Sequence, residues 1–393
     1  MSAPVSSKLA DVASINPRLT NRPAGDDLIS FVPMSAVDAE TGTTQSGEER
    51  AFGEVSKGYT LFADKDILVA KITPCFENGK IAQAGLKHRI GVGSTEFHVI
   101  RPDRSRLEAR YLFHFLRRSQ VRVAGERRMT GSAGQRRVPE AFLAGLSVPM
   151  PSLLEQKKIA EVLDRADELR VKRREALARL DELSQSIFID MFGDPAEKRE
   201  SWPTSTIGAL LESATYGSSE KADLTGDVPI LRMNNITKDG RVDLTELKYL
   251  DAAAVPDRHR VRAGDVLFNR TNSADLVGKS AIYRGSDSPA YAGYLVRLRV
   301  NSENNPEYLA AFLNTKYAKR VLRGMCKSII GMANINAKEL QTIRLAQPPL
   351  ALQNAFAARL SEVERVKETH HRSLAELDAL FASLQDRAFR GLL

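Results

Sequence analysis

The sequence predicts a mixed α/β protein built twice over: two α/β globules separated by two long helices that form an antiparallel coiled coil, with a pseudo-twofold internal repeat. Three observations carry this expectation. First, nine apolar residues, Ile159, Leu163, Ala166, Leu169, Leu177, Leu180, Leu183, Ile187 and Met191, recur as Phe356, Leu360, Val363, Val366, Leu374, Leu377, Leu380, Leu384 and Ala388, every pair offset by 197 residues. Second, the offset continues outside these stripes. Asp66-Ile67-Leu68 matches Asp265-Val266-Leu267 and Gly79-Lys80 matches Gly278-Lys279 at 199, while Tyr111-Leu112 and Phe115-Leu116 match Tyr308-Leu309 and Phe312-Leu313 at 197. Third, stop and start signals bound each stripe as one helix.

Taken in chain order, the first globule spans 1–150. Its β-branched runs at 28–32, 67–72 and 97–100 read as strands and 107–118 reads as a helix. Pro149 and Pro151 stop any earlier helix, and Ser152 with Glu155 has capping-box spacing, in which serine oxygen and glutamate carboxylate satisfy the first unpaired backbone donors. The spacer helix occupies 151–193 and ends at Gly193, Asp194 and Pro195, because glycine accepts the left-handed terminal conformation and proline cannot extend the ladder. Roughly 40 residues at about 1.5 Å each make a rod of about 60 Å. The second globule, 194–348, repeats the pattern with strands at 230–233, 266–268 and 295–300 and a helix at 306–322. The second spacer helix, 349–393, follows Pro348 and Pro349 without a serine cap.

An apolar stripe on so long a helix must be covered, and the simplest cover is the other stripe. The expected interface comprises Ile159, Leu163, Leu169, Leu177, Leu180, Leu183 and Ile187 against Phe356, Leu360, Val363, Val366, Leu374, Leu377, Leu380 and Leu384. Polar stretches at 170–175 and 367–373 interrupt both stripes, and looser packing or a third partner is expected there. The antiparallel pairing places the globules at opposite ends, related by a rotation.

Composition bounds the function. At 393 residues and 42% hydrophobic content the chain reads as ordinary globular protein, and no run of about 18 apolar residues suggests a membrane span. A cytoplasmic protein with no membrane association is expected. Cys75 and Cys326 fit no metal or disulfide spacing and read as reduced, packed thiols. Lys and Arg total 57 against 49 Asp and Glu, for a formal charge of +8, which favours a polyanionic partner.

Catalytic signatures fail one by one. Gly278-Lys279-Ser280 lacks the earlier glycine of a phosphate loop, Ser273 standing in its place, and reads as a turn. Glu246-Leu247-Lys248 has the shape of half a nuclease metal motif, with Asp239 and Asp243 loosely placed as the second carboxylate. The six histidines form no metal-binding pair. No metal, cofactor or catalytic residue is expected in this chain.

Nucleic-acid features are better supported. Arg117, Arg118, Arg122, Arg127, Arg128, Arg136 and Arg137 follow the first globule's helix, and Lys316, Lys319, Arg320, Arg323 and Lys327 occupy the equivalent region of the second. One such cluster is commonly a solvated face, but two at matching places favour phosphate contact. Base edges are read by arginine on guanine and by asparagine or glutamine on adenine. The first globule offers Lys71, Thr73, Glu77, Asn78, Gln135, Arg136 and Arg137, and the second Arg232, Asn234, Asn235, Asn269, Arg270, Asn272, Asn334 and Asn336. Any one of these asparagines more commonly caps a turn. These loops differ between the halves while the scaffold matches, as two readers of different sequences would.

Residues 149–160 (PMPSLLEQKKIA), 186–195 (SIFIDMFGDP), Trp202-Pro203 and Ala388-Phe389-Arg390-Gly391 resemble the specificity subunit of type I restriction-modification systems, and the likeness covers essentially the whole chain. The resemblance implies two target-recognition domains on an antiparallel helical spacer, binding double-stranded DNA. It also implies methyltransferase (modification) subunits that carry S-adenosylmethionine and methylate adenine, and a restriction/translocase subunit using ATP and Mg. The chain itself is then non-catalytic, each domain reading half of a bipartite asymmetric site. The start of the second helix, 350–353, departs from the pattern in lacking the glutamate found at Glu155. Two other classes stay open at this point: a freestanding DNA-binding or scaffold protein self-associating through its helices, and a nuclease using Glu246 and Lys248.

Overall fold

The computed structural model describes all residues except 1–4, 20–21, 45–47, 133, 198–201, 274–275 and 330–331. It divides into two units, residues 1–175 with 371–393, and residues 176–370. The division falls inside both long helices, Leu153–Phe192 and Leu350–Phe389.

In the first unit an antiparallel sheet orders Ala13–Ile15, Phe97–Pro102, Ile67–Ala70 and Ile81–Gln83. A second sheet orders Glu48–Ala51, Leu28–Val32, Ile90–Gly93 and Thr60–Ala63, with Leu28–Val32 parallel to Ile90–Gly93. The second unit repeats the first sheet as Leu211–Tyr216, Leu295–Val300, Val266–Asn269 and Ser280–Ile282. Its other sheet keeps Lys248–Leu250, Val228–Leu231 and the parallel Ala290–Tyr291. The central strands Ile67–Ala70 and Val266–Asn269 are wholly buried, which is why they carry the apolar runs 67–70 and 266–268 instead of alternation.

Duplication extends to single hydrogen bonds. Arg101 grips Asp66 with two bonds of 2.8 and 2.7 Å, and Arg299 grips Asp265 at 2.8 and 2.9 Å. Gln156 accepts from the Glu108 amide and donates to the Pro151 carbonyl, as Gln353 does with Asn305 and Pro348. The hydroxyls of Tyr111 and Tyr308 donate to the carbonyls of Pro149 and Ala346. Gln156 and Gln353 are fully buried, so these bonds fix each long helix to its own globule at its first turn. The helix expected at 306–322 is two, Pro306–Asn314 and Lys316–Met325, because the Thr315 hydroxyl accepts from the Ala318 amide and caps the second.

The Ser152 and Glu155 capping box forms as expected, and Gly193 closes the helix at φ +89°. Within each unit the helix segments run antiparallel. Ile159 and Leu163 share the first unit's core with Ala388 and Phe389, and Arg170 bonds Asp378 at 2.6 Å. In the second, Phe188 and Phe192 pack on Phe356, and Lys367 bonds Asp181 at 2.8 Å.

The composition of this seam corrects the sequence reading. Ile159, Leu163, Leu177, Phe356, Leu360 and Val363 are buried, and Leu180, Ile187, Leu374, Leu377 and Leu384 are partly so. Leu169, Leu183, Val366 and Leu380 are 40–51% exposed and lie off it. At about 100° per residue, Leu169 and Leu183 are turned by roughly 120° and 160° from Leu163. Each polar stretch opens on a largely buried, paired charge. Arg170 (16% exposed) pairs with Asp167 and Asp378, and Lys367 (7%) with Glu364 and Asp181, so charge pairs occupy the seam where an apolar stripe was expected to break. Opposed charges at interior positions specify register.

Candidate nucleic-acid interface

In the second unit a cleft of about 500 Å³ opens beside the end of the central strand. Its lining includes Arg232, Asn234, Lys248, Arg270, Ser218 and Tyr294. The backbone explains the gathering: Arg270 directly follows strand Val266–Asn269, and Arg232 caps the 3-10 turn Met233–Asn235 that follows Val228–Leu231 and holds Asn234. The Arg270 guanidinium lies 4.9 Å from the Tyr216 ring and donates to the Gly293 carbonyl. Arg232 donates to the Glu246 carbonyl. The Nε atoms of both arginines are buried without a hydrogen-bond partner among the described residues. Both side chains are only partly buried and line one cleft, which equips their guanidiniums to take acceptors such as guanine O6 and N7.

The corresponding corner of the first unit is built from Lys71, directly after Ile67–Ala70, and from Thr130 and Gln135–Arg137, tied to the strand end through bridges of Ile72 and Thr130 with Arg137. Arg137 clasps Glu96 with bonds of 2.8–3.2 Å, and this guanidinium holds the Glu96 carboxyl below its usual range. Thr73 donates to Glu77 at 2.6 Å, and Arg136 lies 3.7 Å from the same carboxylate. Asn78, Arg127, Arg128, Gln135 and Arg136 are exposed. In the second unit Lys316 and Arg320 are exposed on helix Lys316–Met325. The Lys327 side chain lies outside the described residues.

Several expected contacts are structural instead. Arg117 is only 14% exposed, reaching Asp167 and the carbonyls of Ala39 and Glu40, because its helix turns it toward the spacer. Arg118 stacks at 5.2 Å over Phe389. Asn235 is buried as the cap of its turn, accepting from the Arg232 amide and donating to the Asp243 and Glu246 carbonyls. Asn336 caps helix Ala337–Gln341, Asn334 accepts from Thr271, and Asn272 accepts from the Ser273 amide. Asn269 is fully buried inside its strand, with no side-chain partner among the described residues, and is out of reach of a base. Lys319, read as part of the basic cluster, donates to the Gly278 carbonyl, and burial followed by repulsion from Lys279 pushes it down to about 8. Gly278 is a turn at φ +81°, as read. Sequence reasoning missed Tyr294, half-exposed at the cleft rim; its one signal was its place directly before a repeated strand.

Among the described residues no group of three or more His, Cys, Asp or Glu side chains is placed to hold a metal ion, and no helix is long and apolar enough to cross a membrane.

Two corners that gather basic and amide side chains at equivalent strand ends of a duplicated scaffold define a protein with paired binding surfaces. Residues 7–179 and 199–379 match the type I restriction modification DNA specificity domain, and the chain belongs to that family. It is 44% identical over 152 residues to the type I restriction enzyme EcoEI specificity subunit of Escherichia coli, covering 38% of this chain and 25% of that protein. Against the EcoKI specificity subunit of Escherichia coli K12 it is 25% identical over 314 residues, covering 75% of this chain and 67% of that one. The chain thus matches about a quarter of the length of the EcoEI subunit. The fold is similar to the type I restriction-modification system S subunit from M. genitalium (TM-score 0.54, 15% identity, 98% of this chain and 96% of that one). A chain from a structure on assembly and conformational transition of the type I R-M system aligns at TM-score 0.50 and 21% identity, covering 100% and 98% of the two chains.

Proposed function

We propose that this chain is the sequence-reading, non-catalytic subunit of a type I restriction-modification enzyme. Each unit reads one half of a bipartite, asymmetric site in double-stranded DNA. The observation that carries this reading is the duplicated corner in which Lys71 and Arg270 end equivalent strands beside loops that share no sequence. Lys71, Gln135, Arg136 and Arg137 in one unit, and Arg232, Asn234 and Arg270 in the other, are the residues assigned to base edges. Arg127, Arg128, Lys316 and Arg320 are assigned to phosphates.

The paired helices act as the ruler for the unread gap. Two readers on one face of B-DNA are spaced by about 34 Å or a multiple of it. Removing whole heptads from both helices should shorten the gap. The same helices dock methyltransferase subunits, and S-adenosylmethionine, ATP and Mg belong to those and to the restriction/translocase subunits of a cytoplasmic complex.

Mapping N6-methyladenine across the source genome with and without this gene tests the reading. A split motif that disappears on deletion supports it. An unchanged methylation map refutes it, as does magnesium-dependent cleavage by the isolated chain that Glu246→Ala abolishes.

A further inference from the structure

Helices Ala109–Leu116 and Pro306–Asn314 hold the same place in their units, yet the side chains they present to the long helices differ in size. Phe113, His114 and Arg117 stand where Ala310, Ala311 and Asn314 stand 197 residues later, and Phe381 stands where Ser184 does. In the first unit the large set fills the space. The rings of His114 and Phe381 are 6.1 Å apart, and Arg117 lies 5.0 Å from the Phe113 centroid. In the second unit the same space is a cavity of about 380 Å³, walled by Asp181, Ser184, Ala310, Ala311, Asn314 and Glu364 among others. That volume falls within the range of small-molecule and side-chain pockets, roughly 300–1,000 Å³.

The acceptors that hold the first unit's guanidinium have counterparts around this cavity. Asp167, which takes Arg117, corresponds to Glu364. The turn whose Ala39 and Glu40 carbonyls accept from Arg117 closes at Gly42 (φ +63°), where an added Cβ would lie 2.7 Å from the Arg117 Nη1. The second unit's turn runs through Lys238 and Asp239 and closes at Gly240 (φ +83°), where an added Cβ would lie 2.8 Å from the Asn314 Nδ2. Both turns therefore press on the same helix position, occupied by arginine in one half and asparagine in the other. Asn314 donates to the carbonyls of Ser280 and Ala310, which leaves its buried Oδ1 without a donor among the described residues.

We propose that this cavity binds a guanidinium group supplied from outside the chain, in the place that Arg117 fills for the first unit. A guanidinium is planar and offers five donors, matching an acceptor set made of the Glu364 carboxylate and the Asn314 amide oxygen beside the turn at Lys238 and Asp239. Of the four lining cations, three are already paired within the wall: Arg241 with Asp239, Arg284 with Glu307, and Lys367 with Asp181 and Glu364. The four lining carboxylates balance these cations and each already takes one of them, so what the wall offers a donor-rich group is their remaining lone pairs together with the Asn314 Oδ1. The group comes either from an arginine of a protein docked on the helix pair or from a free small molecule.

Titration of the full chain with ethylguanidinium, at concentrations below those that unfold it, tests the site by the backbone amide resonances of Gly240 and Ala311. Saturable shifts are expected, with roughly tenfold weaker binding of ethylammonium and ethylurea, which match one property of the fork but not both. Glu364→Gln, which keeps the cavity and loses the charge, should weaken ethylguanidinium by a similar factor. The variant A310F/A311H/N314R, which carries the first unit's set, should lose binding altogether. Shifts that never saturate, equal binding of ethylammonium, or unchanged binding by Glu364→Gln overturns the proposal; the last result decides it even where the filled variant does not fold. The two sources are separated by assembly with modification subunits, an arm that rests on the function proposed above. Loss of assembly in a filled variant that keeps the parent's circular dichroism and urea midpoint assigns the group to a partner's arginine, and normal assembly assigns it to a free molecule. Because the titration uses the isolated chain, its failure removes the site and leaves the DNA-recognition reading standing.

Discussion

Replacing Asp167 by alanine isolates the charge network that joins the first globule to its helices. The carboxylate is 8% exposed and meets Arg170 at 2.6 Å through one oxygen and Arg117 at 3.3 Å through the other. Both guanidiniums are themselves 14–16% exposed, so the truncation strands two nearly desolvated cations. Removing one partner of a buried pair typically costs about 3–5 kcal/mol. Here each arginine keeps other acceptors, Asp378 for Arg170 and two carbonyls for Arg117, which places the loss near the low end. A destabilisation of about 3 kcal/mol, or roughly 150-fold in the folding equilibrium, is expected. Urea unfolding followed by far-ultraviolet circular dichroism measures it, and an unchanged denaturant slope shows that stability, not compactness, has moved. In a double-mutant cycle with Arg117→Ala the coupling should exceed about 1 kcal/mol. A loss below about 1 kcal/mol for Asp167→Ala, or additive single effects, would refute the account of this network.

Three further outcomes are expected. Burial acts to raise the Asp164 carboxyl, but hydrogen bonds and charge from His114 and Arg110 outweigh it and hold the group at about 2, below its usual 3.8. Its contribution is therefore complete above about pH 4 and is lost as pH falls toward 2; linkage gives about 2 kcal/mol, reduced to roughly 1 by solvent screening at 36% exposure. Asp164→Asn should flatten that acid limb of the urea midpoint, and parallel curves for variant and parent would disprove it. Arg270→Ala should weaken binding to the methylated motif's unmodified duplex by about 1–3 kcal/mol while leaving non-specific binding nearly intact. Equal losses on both duplexes would make Arg270 a phosphate contact instead. Gly42→Ala places a Cβ 2.3 Å from the Phe113 Cζ at a positive φ and should destabilise by about 2 kcal/mol, whereas Gly25→Ala, with open space around it, should change stability by less than about 0.5.

The strands 28–32 and 295–300 emerge with the bounds expected of them, because their apolar runs end in turns that tertiary packing leaves alone. The strand expected at 230–233 is instead Val228–Leu231, since the Asn235 carboxamide caps the Arg232 amide and pulls Arg232 and Met233 into a 3-10 turn. Repetition of apolar residues at a fixed offset established duplication, but it could not tell which of them face the partner helix. Leu169 and Val366 are repeated and exposed alike, so a conserved spacing and a buried one are different signals. The corner residues Lys71 and Arg270 were legible because both end a repeated strand. Burial of Arg117 and Asn269 was not, since it depends on the turn 38–42 and on sheet neighbours far away in the chain.

The first unit's core is closed by residues 381–389, far along the chain from the rest of that core. Phe389 packs at a tilt on Tyr111 and edge-on against Phe115, and Gln385 donates to the His114 carbonyl across 271 positions. During synthesis, residues 1–175 emerge well before 371–393, while every part of 176–370 is contiguous and available earlier. The half translated first is thus the half completed last, and a ribosome stalled before Phe381 would release a chain whose leading globule still shows an apolar wound.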